Sequence, residues 1–202
     1  MLAQGLLPIM EQFYSLQGEG AHSGRAAHFV RLAGCDVGCV WCDVKESWNV
    51  DQQQYTKIDA IVNECKIHSK AIVVVTGGEP CIYNLDNLCK ALHKENFNLH
   101  LETSGAYPIS GKWDWVCLSP KKFKSPLKEC LAKAHELKVV IFNASDFDWA
   151  LEHAAHVREN CRLFLQPEWS KAEKMTAPII EFIQENPQWE LSLQTHKYLG
   201  VR

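Results

Sequence analysis

Apolar residues along the chain recur in two rhythms, and the alternation of those rhythms predicts the architecture. Short runs rich in branched and aromatic residues, at 8–15, 27–33, 71–75, 99–102, 113–118, 137–142, 162–165 and 189–194, read as strands. Between several of them the apolar positions fall every three to four residues instead. Ile58, Ile61, Val62 and Cys65 mark a helix over 56–68, and Leu85, Leu88 and Leu92 mark another over 84–95, with Asn84 available as its cap. Further helical patterns cover 127–134, 146–156 and 178–186. The run at 71–75 is largely β-branched and leads into Thr76-Gly77-Gly78, as a buried parallel strand would. Strands alternating with helices at this pace predict an α/β fold, a mostly parallel sheet built from right-handed βα units with the helices outside. About six such units fit, too few for a closed eight-stranded barrel, and periodicity alone equally allows a doubly wound sheet. No repeat, low-complexity tract or linker divides the chain, so residues 1–202 read as a single domain.

Composition removes several classes of function. A chain of 202 residues with 47% hydrophobic content can build a sizeable core. A formal charge of −3 supplies no basic field for nucleic acid. No apolar run reaches membrane-spanning length, and the N-terminus lacks the basic start and cleavage site of a signal peptide. Nine cysteines, an odd number, without an export signal point to a reducing cytoplasm rather than a disulfide framework. Cys65, Cys81, Cys89, Cys117, Cys130 and Cys161 lie scattered in apolar segments and read as core thiols.

The remaining three cysteines change the picture. Cys35, Cys39 and Cys42 stand three and two residues apart in one loop that opens at Gly34 and is punctuated by Gly38. Those glycines let the backbone curl, so that the thiolates can converge on one centre. A structural zinc site needs four ligands, usually from paired Cys-x-x-Cys knuckles, and no second knuckle occurs. Iron–sulfur clusters also normally take four cysteines. Three therefore suggest a four-iron cluster with one iron left open to a small molecule.

This cysteine spacing resembles that of the radical S-adenosylmethionine (SAM) enzymes. That resemblance implies a partial (βα)6-type barrel and a [4Fe-4S] cluster held by Cys35, Cys39 and Cys42. SAM chelates the open iron of such a cluster, and an electron cleaves it to a deoxyadenosyl radical. Thr76-Gly77-Gly78-Glu79-Pro80 resembles the superfamily's Gly-Gly-Glu-Pro motif, in which Glu79 would meet the SAM ammonium group. Glu102-Thr103-Ser104-Gly105 and Ser119-Pro120-Lys121 end the next two strands, where ligand groups collect in parallel βα folds. They look like further SAM or substrate contacts.

The series Phe13-Tyr14-Ser15-Leu16-Gln17-Gly18-Glu19-Gly20, Arg31 to Cys35, Trp41-Cys42-Asp43, the glycine motif, Glu102-Thr103, Ser119-Pro120-Lys121, Glu136 to Val140, Gln166-Pro167 and Gln194-Thr195-His196-Lys197-Tyr198-Leu199 resembles the 7-carboxy-7-deazaguanine synthase family over essentially the whole chain. The resemblance implies a radical ring contraction of 6-carboxy-tetrahydropterin to 7-carboxy-7-deazaguanine with loss of ammonia, a step towards queuosine. It assigns Leu16, Gln17, Gly18, Arg31 and Thr76 to the substrate, with the Arg31 guanidinium suited to a carboxylate. Glu19 would pair with the donor edge of the pterin. His196 and the main-chain carboxylate of Arg202 would reach the same pocket. Trp41, Cys42, Asp43, Gly78, Glu79, Glu102, Ser104, Ser119, Pro120, Lys121, Gln166 and Pro167 would line the SAM site, whereas the likeness fades after Pro167 and does not extend to Glu168 and Trp169. The family also implies an external electron donor such as flavodoxin, a homodimer and a Mg²⁺ ion. The usual Mg²⁺ ligand is a Thr, replaced here by Val44, with Glu46 and Ser47 the nearest substitutes. A glycyl-radical activase would share the cysteines and Gly-Gly-Glu-Pro, and an electron carrier the cluster alone; neither accounts for the N-terminal Leu-Gln-Gly-Glu-Gly or the C-terminal Gln-Thr-His.

Overall fold

The structure is a computed structural model that describes residues 5–50 and 54–202. Its strands are β1 (Leu6–Leu16), β2 (Ala26–Leu32), β3 (Gln54–Lys57), β4 (Ile72–Gly77), β5 (Leu99–Thr103), β6 (Trp115–Leu118), β7 (Glu136–Ile141), β8 (Arg162–Pro167) and β9 (Trp189–Leu191). They form one sheet in the order β3-β1-β2-β4-β5-β6-β7-β8-β9. From β2 through β9 every neighbouring pair is parallel, while β1 runs antiparallel to both β2 and β3. The expected mostly parallel sheet with flanking helices is present. The sheet is not closed by hydrogen bonds between its outer strands, β3 and β9.

Helices α1 (Ile58–Lys66), α2 (Asp86–Lys94), α3 (Lys128–Leu131), α4 (Ser145–Ala154) and α5 (Ala172–Glu185) lie between strands, and α6 (Thr195–Leu199) follows β9. Three helices turn an apolar stripe to the sheet: Ile61, Val62 and Cys65 on α1, Leu88, Cys89 and Leu92 on α2, and Met175 and Ile179 on α5. They meet alternate residues of the strands, among them Val73, Val75, Leu99, Leu101, Leu137, Val139 and Ile141, in one apolar core. The residues between these, on the other face, are of two kinds. Ala27, Ile72 and Val74 with Phe29 make a small apolar cluster. Arg31, Thr76, Glu102, Ser119, Lys138 and Gln166 instead line a cavity. The period of two thus sorts a hydrophobic helix-facing surface from a polar inner one.

Several element boundaries differ from the sequence reading for identifiable reasons. The expected helix over 56–68 begins only at Ile58, because Gln54–Lys57 pairs with Leu6–Ile9 of β1, a contact distant in sequence. The N-cap of α2 is Leu85 rather than Asn84, although Asn84 Oδ1 accepts from the Asp86 N–H at 2.9 Å just ahead of the helix. The last long helix starts at Ala172 rather than 178, with Pro178 inside it; a proline inside a helix costs a hydrogen bond but does not forbid one that packs through Met175 and Ile179. The helix expected over 127–134 shortens to Lys128–Leu131. The final strand is shorter than 189–194, and the chain turns into α6 at Thr195.

The end of β4 lies very close to its neighbouring strand. Gly77 has φ +147°, and a Cβ there would lie 2.1 Å from the Leu32 carbonyl oxygen of the neighbouring strand. Gly24 also has a positive φ, +85°, but open space around it. Gly77→Ala is therefore expected to destabilise the protein by more than about 1 kcal/mol, the scale of a backbone conformation that Ala resists, with Gly24→Ala costing clearly less. Chemical denaturation of the two variants measures this; equal losses would refute the steric argument.

Candidate active site

The cavity sits at the C-terminal ends of the parallel strands and has a volume of about 300 Å³. Its first wall is the cysteine loop. Gly34 (φ +100°) and Gly38 (φ +77°) allow the curl, and the Gly34 N–H donates to the Ser47 carbonyl at 2.6 Å. Cys35, Cys39 and Cys42 are free thiols, and all three line the cavity. Burial raises the Cys35 thiol pKa and pushes Cys39 up to about 11, with the Lys121 ammonium working against that rise for Cys39. No other cysteine lines the cavity. Cys65, Cys81, Cys89, Cys117, Cys130 and Cys161 are buried and free, and burial holds Cys65 and Cys89 at about 12. Among the described residues no three His, Cys, Asp or Glu side chains stand together as a ready-made metal site. The donor chemistry of the loop nevertheless fits an iron–sulfur cluster with one open iron: three thiols on one cavity wall and no fourth.

The glycine turn is fastened to that loop. The Gly78 N–H donates to the Leu32 carbonyl at 3.0 Å and the Glu79 N–H to the Gly34 carbonyl at 2.8 Å. A Cβ on Gly78 would lie 2.4 Å from the Gly34 carbonyl oxygen and 2.7 Å from the Cys35 Cβ. Glu79, 1% exposed, accepts from the Cys81 N–H at 3.0 Å, Thr103 Oγ1 at 2.6 Å, the Ser104 N–H at 2.8 Å and the Ser104 hydroxyl. Its carboxylate therefore ties the ends of β4 and β5 together as well as lining the cavity. Lys121 bonds Ser119 through both the main-chain carbonyl and the hydroxyl, and lies 5.4 Å from the Trp41 ring centroid.

The third wall comes from the end of β1 with the residues that follow it, and from the 194–202 segment. The Gly18 carbonyl accepts from the Thr195 N–H and from its hydroxyl, each at 2.9 Å, and a Cβ on Gly18 would fall on the His196 ring. Lys197 bonds Asp43 at 2.9 Å, so α6 also braces the cysteine loop. The Arg202 main-chain oxygen accepts from Ser15 Oγ at 2.6 Å, and its guanidinium pairs with Glu11. Glu11 is shared with Arg31, whose Nε donates to it at 2.8 Å. Burial lowers the His196 pKa, which leaves the ring neutral at pH 7.

Lys138, from β7, occupies the floor. Its ammonium bonds Glu19 at 2.5 Å and Glu102 at 3.1 Å. Burial acts to raise the Glu19 carboxyl, but the Lys138 charge and bond, helped by the Gln194 amide, bring it down to about 2. Gln17 donates to Glu102 at 3.1 Å.

Of the residues expected at a ligand site, Leu16, Gln17, Gly18, Glu19, Arg31, Thr76, His196 and Arg202 all line this one cavity. So do Trp41, Asp43, Gly78, Glu79, Glu102, Ser104, Ser119, Lys121, Gln166 and Pro167 together with the three cysteines. Pro120 is buried and is not among the lining residues. Glu168 and Trp169, excluded on sequence, do line it, and so do Lys138 and Gln194. A lysine inside the otherwise apolar run at 137–141 was the available signal for Lys138, since lysine is seldom buried without a partner. Val44 and Ser47 reach the cavity but the exposed Glu46 does not. The Ser47 hydroxyl donates to the Val44 carbonyl at 2.7 Å.

The radical SAM superfamily matches residues 30–140. The 7-carboxy-7-deazaguanine synthase of Flavobacterium psychrophilum is 56% identical, over 97% of this chain and 93% of the relative. That of a Synechocystis species is 48% identical, over 96% and 93%. The crystal structure of QueE from Escherichia coli superposes with a TM-score of 0.85 at 32% identity, covering 95% of each chain. The superfamily uses a [4Fe-4S] cluster and SAM, which the three-thiol wall fits. The chain belongs to the radical SAM enzymes, and within them to the 7-carboxy-7-deazaguanine synthase family of lyases.

Proposed function

We propose that this enzyme converts 6-carboxy-5,6,7,8-tetrahydropterin to 7-carboxy-7-deazaguanine with release of ammonia, in deazapurine biosynthesis leading to queuosine. The observation that carries the proposal is the convergence of four separate sequence motifs on one cavity: the cysteine loop, the glycine turn, Leu16 to Glu19 and Gln194 to Lys197. In this reading residues 1–202 are a single domain, and the open sheet is a partial (βα)6-type barrel whose gap is spanned by the meeting of the chain's ends. Cys35, Cys39 and Cys42 hold the cluster; Trp41, Asp43, Gly78, Ser119, Lys121, Gln166 and Pro167 flank SAM. When bound, the cluster and SAM would supply one-electron radical chemistry at a substrate C–H bond.

The protein's own contribution is position and shelter. Arg31, already oriented by Glu11, offers its guanidinium to the substrate carboxylate. Gln17, Glu19 and Glu102 present amide and carboxylate oxygens to the ring's N–H groups, and neutral His196 closes the pocket beside Gly18. Walls from β1, the cysteine loop and α6 exclude water, which a carbon radical requires. An external one-electron donor such as flavodoxin, a homodimer and a cytoplasmic setting complete the reading. Among the described residues no helix is long and apolar enough to cross a membrane. The test is direct: anaerobically reconstituted protein with SAM, dithionite and the carboxy-tetrahydropterin is expected to form a deazapurine chromophore while SAM is largely unconsumed.

Alanine at Cys35, Cys39 or Cys42 is expected to abolish turnover and lower iron and sulfide content, because no other cysteine lines the cavity. Cys65→Ala and Cys89→Ala are expected to keep activity and lose only stability, typically 1–3 kcal/mol for a core truncation of this kind. Iron analysis and turnover on the five variants decide this, and an active Cys39→Ala enzyme overturns the assignment.

Removing Gly200, Val201 and Arg202 deletes the contacts to Ser15 and Glu11. The expected result is a raised pterin KM or a lowered kcat with SAM binding intact. Wild-type kinetics after the deletion would refute a role for this segment in the pocket.

Mg²⁺ prefers oxygen ligands in octahedral geometry and readily keeps several waters. The 43–48 segment serves it poorly: Val44 has no side-chain oxygen, Ser47 is bonded to Val44, Asp43 is paired with Lys197 and Glu46 faces solvent. Any Mg²⁺ is then held by substrate oxygens and water. Val44→Thr is expected to strengthen the response to Mg²⁺, measured by titrating the ion into chelator-treated enzymes. Equal, strong dependence in both forms would show that another protein ligand serves the ion.

A further inference from the structure

Lys138 is a cation on the inner face of the sheet, with a side chain 4% exposed. It stands at the centre of a chain of five polar side chains drawn from four places in the sequence. The Gln17 amide donates to Glu102 Oε1 at 3.1 Å, and Glu102 Oε2 accepts from Lys138 at 3.1 Å. Lys138 donates to Glu19 Oε2 at 2.5 Å, and Glu19 Oε1 accepts from the Gln194 amide at 2.9 Å. All five line the cavity. Each carboxylate oxygen thus takes one of these bonds and retains a second lone pair.

The other charged or titratable groups facing this chain do not replace the ammonium, and burial keeps His22 and His100, which lie beside Glu19 and Glu102, towards their neutral forms. Glu136, on the same strand, accepts from the Ala21 N–H and the Trp115 indole, and burial raises its pKa. Burial likewise raises the Cys117 thiol on β6. The Lys121 ammonium is bonded to Ser119, and burial lowers both its pKa and that of His196 on α6. Lys138 is the cation that bonds Glu19 and Glu102.

We propose that Lys138 is a positioning residue that holds Glu19 and Glu102 as a pair of ionised acceptors, selecting a ligand by a planar edge of N–H donors such as a 2-aminopyrimidinone ring presents. The ligand class rests on the function proposed above; the ionisation of the pair does not. Without the ammonium, two carboxylates from separate elements share one water-poor space, and repulsion and burial both favour protonating one of them. A protonated carboxyl offers a donor where the ligand needs an acceptor. Binding in such a variant therefore improves as pH rises and the shared proton leaves, whereas binding to the wild type does not follow this titration.

The experiment compares wild type, Lys138→Met and Lys138→Arg as anaerobic, cluster-loaded proteins with SAM bound. Equilibrium titration with carboxy-tetrahydropterin from pH 6 to 9 is expected to show Lys138→Met weakened about thirtyfold or more at neutral pH, recovering towards high pH, with SAM affinity unchanged. Lys138→Arg, which keeps the charge, is expected to retain most of the affinity without that recovery. In parallel, side-chain carboxyl ¹³C NMR of the ligand-free proteins is expected to show a glutamate titrating near neutral pH in Lys138→Met and not in wild type, beyond any titration common to both. If Lys138→Met does not fold, Lys138→Met/Glu102→Gln removes the cation with one anion. It is expected to fold, to lose the neutral titration and still to bind the pterin weakly. Wild-type affinity and pH profile in Lys138→Met, or wild-type affinity in the double variant, overturns the proposal. Wild type that binds SAM and not the pterin overturns the substrate instead, and the NMR titration then decides the role of Lys138 alone.

Discussion

Two backbone hydrogen bonds hold the chemistry of this protein in one place. They run from Gly78 N–H to the Leu32 carbonyl and from Glu79 N–H to the Gly34 carbonyl, and they continue the parallel β2–β4 pairing beyond the strands. Their effect is to press the glycine turn against the cysteine loop so closely that no side chain fits at Gly78. A wider turn would separate the thiols from the Gly77 and Gly78 backbone that lines the same cavity. Glu79 then spreads the constraint sideways, since its carboxylate takes donors from Thr103 and Ser104 at the end of β5. Register between neighbouring strands is thereby converted into relative position of the cysteine loop, the glycine turn and the next strand end.

The sheet leaves β3 and β9 without a shared ladder, and an open sheet leaves one side of such a site exposed. Here the two ends of the described chain meet across that side. Thr195 bonds Gly18, Lys197 bonds Asp43, and Arg202 reaches Glu11 and Ser15 on β1. Few of these contacts are apolar. They give direction and shelter rather than bulk stability, since ion pairs near a surface contribute little net free energy. The core behind the sheet supplies the stability that allows this arrangement.

Much of this was legible in the residues, and the reasons for the remainder are physical. Alternating periods exposed the βα units because each helix buries a stripe and each strand buries a face. The cysteine loop and the glycine turn were readable because their chemistry is local in sequence. β3 was not, since its residues become a strand only by pairing with β1. Pro178 was misleading because local propensity marks a helix start, whereas packing through Met175 on its N-terminal side extends the helix past it. The sequence marks Glu79 as a ligand contact, but no pattern in it announces that Cys81, Thr103 and Ser104 bond its oxygens. Trp169 reaches the cavity through neighbours that lie far along the chain, the Lys197 ammonium 5.1 Å from its ring centroid and the Tyr198 ring.

The inner face of β5 to β7 carries His100, Glu102, Trp115, Cys117, Glu136 and Lys138, a polar layer where a simple barrel floor would be aliphatic. Burying such groups is costly, and a buried ion pair rarely stabilises a protein more than a well-packed apolar replacement would. Its presence beneath the cavity therefore calls for a return other than stability. The layer has an order that suggests the return. Lower down, burial keeps Glu136 and Cys117 towards their protonated forms, and Glu136 finds neutral donors at Ala21 and Trp115. At the cavity surface Lys138 pairs with Glu19 and Glu102, and Glu19 is held far on the ionised side. Charge is thus suppressed where only protein meets protein and maintained where a ligand arrives. A floor of Leu and Val would fold as readily, but it would present no acceptor and could not distinguish one planar ring from another.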